Sequence, residues 1–255
     1  MSPRPARAKE RAAESANRPS RASQESAGAR EDRLKSERVY RDLRRRIREL
    51  RLQPGSRLDK NEIAAEYGVS RAPVSEAIAW LAVEGLVDVI PQSGSFVAPI
   101  RVEDIRDSLL IRTGLEVEVV RRATRVADAA LMARLDDNLE LQAAAVKRKD
   151  LVALDDLDTA FHGIILSAIN SPGLARLVDR ARAILDRPRF YSLPEEGRPR
   201  DTVAEHRRIV DAIRTGDLEL AGATMRVHLT MVAQSIERNL EQMQSDPHAK
   251  LTRRV

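Results

Sequence analysis

The chain has 255 residues, 42% hydrophobic and 33% charged, which is enough apolar material to bury one or two real cores. No apolar run approaches the ~20 residues needed to cross a bilayer, and the Met1 end lacks the apolar stretch of an export signal, so the cytoplasm is the expected compartment and no membrane partner is expected. With no cysteine, disulfides, thiolate ligands and thiol switches are excluded, and any metal must be held by nitrogen and oxygen.

The net charge of +5 is concentrated at one end: residues 1–100 carry 19 Lys and Arg against 14 Asp and Glu, whereas residues 101–255 carry 25 of each. A basic head on a neutral body fits a polyanion-binding module attached to a sensing or assembling one. Residues 1–33 are Ala, Arg, Ser, Glu and Pro with almost no large apolar side chain, and are expected to form a disordered basic tail. From 34 to 52, Val39, Leu43, Ile47 and Leu50 recur at helical spacing, with Arg41, Arg44, Arg45, Arg46 and Arg48 on the other faces. This predicts an amphipathic helix whose arginines add a positive field, ended by the Pro54-Gly55 turn.

Asp59 opens a short helix over 60–66 that Gly68 closes. Ser70 then caps a second helix over 71–84, with Pro73 tolerated in its first turn and Val74, Ile78 and Leu81 facing inward. A strand at 86–90, a turn at 91–94 and a return strand at 95–98 make a wing, so residues 34–100 are predicted to be a winged helix-turn-helix domain. Beyond Pro99, helices are predicted at 103–125, 128–148, 150–169, 171–185, 202–215 and 217–244. The fold class is therefore mainly α, with an all-helical antiparallel bundle over 101–244 and a flexible tail over 245–255.

The second helix of the head presents Ser70, Arg71, Pro73 and Ser75 in its first turns, where short and forked donors meet base edges and phosphates first. Arg71 is the favoured contact, either bidentate to a guanine or clamped on a phosphate. Gln92, Ser93 and Gly94 at the wing tip are small enough to approach a DNA backbone or minor groove. Trp80, outside the inward stripe, is expected to pack against the bundle.

In the bundle, Asp158 and His162 stand at i and i+4 on one helix face, and His206 and His228 come from later helices. One carboxylate and three imidazoles suit a divalent ion, zinc first, with nickel, manganese or iron as alternatives. His248, in the polar tail, reads as a surface residue. Arg112 has two readings: it points into a cavity to pair with a bound carboxylate, or it makes an ion pair with Glu116 at i+4. Arg187 and Arg189 flank Pro188 and read as a solvated loop. Two rival uses of the cluster stay open: a metal-dependent hydrolase with Asp155 or Glu205 as general base, and a purely structural metal.

The runs Leu52-Gln53-Pro54-Gly55-Ser56-Arg57-Leu58, Val69-Ser70-Arg71-Ala72-Pro73-Val74-Ser75-Glu76-Ala77-Ile78, Glu84-Gly85-Leu86-Val87 and Gly94-Ser95-Phe96-Val97 resemble the winged-helix domain of GntR-family transcription regulators. Ser75 and Ser93 depart from that pattern, standing where arginines are usual. The bundle is similar to the FCD ligand-sensing domain of the FadR-type branch at Arg112, Leu115-Glu116, Asp158, Phe161-His162, Glu205-His206, Gly216-Asp217, Met225 and His228-Leu229. The resemblance implies that Asp158, His162, His206 and His228 hold one divalent ion. It further implies a dimeric, non-enzymatic regulator, a repressor by default, whose grip on a double-stranded operator responds to a small carboxylate or sugar acid bound near Arg112.

Overall fold

In the computed structural model, which describes residues 21–192, 194–245 and 251–252, helix α1 (Arg21–Arg48) turns Val39, Leu43 and Ile47 into one buried stripe. That stripe packs on α3 (Arg71–Val83), whose Val74, Ala77, Ile78 and Leu81 are also buried. Between them, α2 (Lys60–Tyr67) is capped by the Asp59 carboxylate, which accepts from the amides of Asn61 and Glu62. It ends at Gly68, whose φ of 62° lies in the left-handed region that a β-carbon disfavours. The wing is an antiparallel pair, β1 (Val87–Ile90) and β2 (Gly94–Val97), in the register Val87↔Val97 to Ile90↔Gly94. Each large apolar side chain in this core contributes roughly 1.5–3 kcal/mol by leaving water.

A two-residue strand, β3 (Ile100–Arg101), leads into the bundle of α4 (Val102–Arg125), α5 (Ala129–Arg148), α6 (Leu151–Ser167), α7 (Pro172–Ser192), α8 (Arg198–Thr215) and α9 (Leu218–Ser245). Helix α4 packs on α9 and α7, α5 on α6 and α8, and α8 on α9. Val120, Leu135, Phe161, Ile165, Ile209 and Met225, one or more from each of α4, α5, α6, α8 and α9, meet in the main core. No helix among the described residues is long and apolar enough to cross a membrane.

Three expectations are corrected. Residues 21–33, expected to be unfolded, are the first turns of α1; Lys35–Glu31 and Arg33–Glu37 pairs at i and i+4 support its exposed stretch from residue 30 on. Residues 1–20 and His248 lie outside the described residues. In the expected flexible tail, Leu251–Thr252 form β4, which pairs in parallel with the open edge of β3, Ile100 opposite Leu251. The third correction is the largest. Pro188 was read as a stop, yet α7 continues through it to Ser192. An internal proline costs about 3 kcal/mol, and Arg187 and Arg189 on either side of it are buried and hydrogen-bonded.

Candidate metal centre and nucleic-acid interface

The candidate DNA-reading surface lies at the start of α3 and the tip of the wing. Ser70 and Arg71 are exposed, Ser75 is half-buried, and Gln92 and Ser93 stand out at the turn between β1 and β2. Ser70 occupies the N-cap position but makes no side-chain capping bond, so its hydroxyl is not tied to the helix it precedes. Pro73 is buried. It shapes the helix start from inside, which corrects its placement among residues that touch DNA. Arg57 makes an isolated antiparallel bridge with Phe96 beside the wing, and a β-carbon on Gly94 would stand 3.5 Å from its Nε. Trp80 meets Tyr40 edge-on at 5.6 Å, within the head itself.

The α1 arginines contribute less field than expected because most are paired. Arg44 bonds Glu84 at 3.0 Å and Asp186 at 2.9 Å, Arg46 bonds Glu66 at 2.9 Å, and Arg48 bonds Asp156 at 2.6 Å and Asp155 at 3.3 Å. An ion pair cancels most of the far field of each partner.

Inside the bundle, α6 presents Asp158 and His162, α8 presents His206, and α9 presents His228. All four are buried, and one nitrogen or oxygen from each lies within 4.8 Å of the others. Each imidazole is held from behind. His206 Nδ1 lies 2.8 Å from Gln142 Oε1, and His228 Nδ1 lies 2.7 Å from Glu205 Oε2. His162 Nδ1 lies 2.5 Å from Glu116 Oε2. Gln142 is oriented in turn by donating to Asn138 at 2.6 Å, which donates to Leu157 O, and Glu205 takes two bonds from Arg198, at 2.6 and 3.2 Å. Phe161 stacks on His206 at 4.0 Å.

The outward-held nitrogens leave the other ends of the rings inward. His162 Nε2, His206 Nε2, His228 Nε2 and Asp158 Oδ1 are all buried without a hydrogen-bond partner. Four orphaned acceptors at one point are costly in an apolar interior, and their lone pairs are what a divalent ion would satisfy. Burial, above all, keeps the imidazoles neutral and ready to ligate: His162 is pushed down to about 4, and His206 and His228 are also lowered. Asp158 is held well below the usual carboxylate range, against its burial, by Arg189 first and then the neighbouring histidines.

The other oxygen of Asp158 belongs to α7. Arg182 donates to Asp158 Oδ2 at 3.1 Å, and Arg189 donates to the same atom. Arg189 and Arg187 are buried, correcting the solvated loop expected there; Arg187 Nη1 donates to Ala98 O at 2.5 Å. Val178, Arg182, Leu185 and Arg189 share one face of α7, a spacing that would have exposed both arginines as inward-facing had the helix not been ended at residue 185. Arg112 is also buried, and Nε bonds Glu116 at 2.5 Å, so the ion-pair reading is realised. Its Nη2 and Arg182 Nη1 nevertheless remain buried and unpartnered. Asp155 and Glu205, weighed as general bases, are both engaged: Asp155 lies between Arg48 and Arg189, and Glu205 between His228 and Arg198. Burial nonetheless raises Asp155 to about 6.

Two neighbouring cavities open between α8 and α9. One of about 310 Å³ is lined by Arg198, Glu205, Arg208 and Arg238 among others. The second, of about 190 Å³, shares Glu205 and Arg208 with it and reaches His228.

Comparison with known proteins agrees with this architecture. Residues 35–97 match the gntR family of bacterial regulatory proteins, and residues 107–231 match the FCD domain. An uncharacterised HTH-type transcriptional regulator of an unstable DNA locus in Streptomyces ambofaciens is 38% identical over 200 residues, covering 78% of this chain and 84% of that protein. The HTH-type transcriptional repressor RspR of Escherichia coli K12 is 31% identical over 211 residues, covering 83% and 92%. E. coli McbR/YncC shares the fold at a TM-score of 0.73 and 20% identity, over 81% of this chain and 98% of that one. The chain belongs to the GntR family of regulators, with a C-terminal FCD domain, and is a DNA-binding transcriptional regulator.

Proposed function

We propose that this regulator, working as a homodimer and as a repressor, releases or tightens its hold on a near-palindromic operator when a small organic acid binds beside a divalent ion in the FCD domain. The observation that carries the reading is the cage of four buried, unpartnered acceptors from Asp158, His162, His206 and His228. Those residues would hold the ion, which would supply a positive centre able to accept an acid's oxygen; the donor set suits zinc first. Arg112 Nη2 and Arg182 Nη1, each buried and unpartnered, would receive the carboxylate, since a guanidinium fork matches its two oxygens. The cavity that reaches His228 supports entry from the α8–α9 side.

On the DNA side, Arg71 and Ser70 would enter the major groove with Ser75 behind them, while Gln92, Ser93 and Gly94 approach the flanking backbone. Two-fold symmetry of the dimer would match two half-sites. Ligand binding can shift operator affinity only as far as it distinguishes the two arrangements of the heads.

The test is a thermal melt of the zinc-loaded chain with small mono- and dicarboxylates and sugar acids, each beside its neutral amide. An acid that binds at 100 times its Kd stabilises by about 2.7 kcal/mol, and its amide should give no shift. Arg112→Gln and Arg182→Gln should each abolish the acid's shift. Equal shifts from acids and amides would remove the carboxylate subsite.

A further inference from the structure

Helix α7 has two sets of partners. It supplies Arg182 and Arg189 to Asp158 in the cage. The same helix also reaches the DNA-reading head: Ala183 is buried in the head's own hydrophobic core, Asp186 pairs with Arg44 of α1 at 2.9 Å, and Arg187 donates to Ala98 O at the end of the wing. Among these contacts one runs through without a break. Asp158 bonds Arg189, Arg189 Nη2 reaches Asp155 Oδ1 at 3.5 Å, and Asp155 Oδ2 reaches Arg48 Nη1 at 3.3 Å, near the end of α1. Each of the four side chains is at least nine-tenths buried, so these charges are poorly screened and each must keep its partners.

We propose that Arg189 and Asp155 are positioning residues that carry the state of the cage to the DNA-reading head, through Arg48. The proposal rests on the metal reading above and adds the route of its regulation. Asp158 Oδ1 makes no hydrogen bond and lies 3.4 Å from His206 Nε2, and Oδ2 is shared by Arg182 and Arg189. With an ion held at Asp158, both arginines would keep less of its negative charge. Arg189 would then lean toward its second carboxylate, Asp155, and Asp155 would give up part of its hold on Arg48. Because Arg48 is next in sequence to Ile47, which with Leu43 anchors α1 against α3, a change in its pairing bears directly on the helix that supports the reading helix. Asp156 also bonds Arg48, at 2.6 Å, but its side chain is 61% exposed.

That difference between neighbours supplies the test. Zinc uptake by the full chain is first measured by titration, and backbone amide exchange over residues 40–50 is then followed with and without zinc. In the parent protein, zinc should change the exchange rate there by about fivefold or more, the lower end of ordinary coupling between sites. Asp155→Asn should take up zinc equally and show a change below about twofold, with Asp155→Glu restoring the response. Asp156→Asn, which removes the shorter bond to Arg48, should respond like the parent. Where Asp155→Asn does not fold, Arg48→Gln breaks the same link from the reader's side. Zinc bound by the parent with no change in α1, or an Asp155→Asn response equal to the parent's, overturns the route. A parent chain that takes up no zinc sinks the metal reading as well, and the titration tells the two failures apart.

Discussion

His206→Ala is expected to lower affinity for zinc on the order of 100-fold or more, beyond the 10- to 100-fold that loss of an orienting partner alone would cost. His206 is fully buried, its Nδ1 is held by Gln142, and its Nε2 is one of the four unpartnered acceptors. Removing it takes away a ligand that the fold has already oriented, so no entropy is recovered to soften the loss. Gln142→Ala, which frees the ring without deleting it, should fall at the lower end, about tenfold. Melting separates these from simple damage to the core. Zinc at 100 times its Kd adds about 2.7 kcal/mol to the parent, a rise of roughly 5–10 °C for a domain of this size. The His206→Ala chain should melt at one temperature with or without zinc, and an undiminished zinc-dependent rise would take His206 out of the ligand set.

Arg71→Ala should weaken specific operator binding by about 1–3 kcal/mol, roughly 5- to 150-fold, while leaving the melting temperature nearly unchanged. The separation follows from position: Arg71 is exposed at the first residue of α3, whereas the core of that helix is carried by Val74, Ala77, Ile78 and Leu81. Arg71→Lys should recover less than half of the lost binding energy if the contact is a bidentate fork, because an ammonium cannot reproduce it. A gel-shift titration identical to the parent's would mean that α3 does not read DNA through its N-terminal turn.

The head was readable because its signals are local. Val39, Leu43 and Ile47 declare a helix face by spacing alone, Asp59 and Gly68 mark the ends of α2, and the glycine at 94 marks the wing. Asp158 and His162 likewise betray each other at one turn's separation. His206 and His228 do not; their meeting with α6 depends on how α8 and α9 pack, which only the resemblance anticipated. What stayed hidden was whatever a local rule forbids. Pro188 signals a break, so Arg187 and Arg189 read as a solvated loop although both lie buried on α7. Arg48 was counted toward a DNA-directed field, although its charge is absorbed by Asp155 and Asp156 from a helix more than 100 positions along the chain. Long-range ion pairs carry no sequence spacing. The Gln142 and Glu205 brackets behind the histidines were equally invisible, since each joins residues on different helices.

The most direct measurement is fluorescence anisotropy of a labelled duplex from the DNA flanking this gene, titrated with the full chain stripped by chelator and again after reloading with zinc, at one fixed salt concentration. Control of the reading head by the buried cage predicts at least a fivefold difference in Kd between the two states, the scale of ordinary coupling between sites, and no difference for Asp158→Ala. Equal affinities for the stripped and the loaded parent, with zinc shown to be bound, would contradict it.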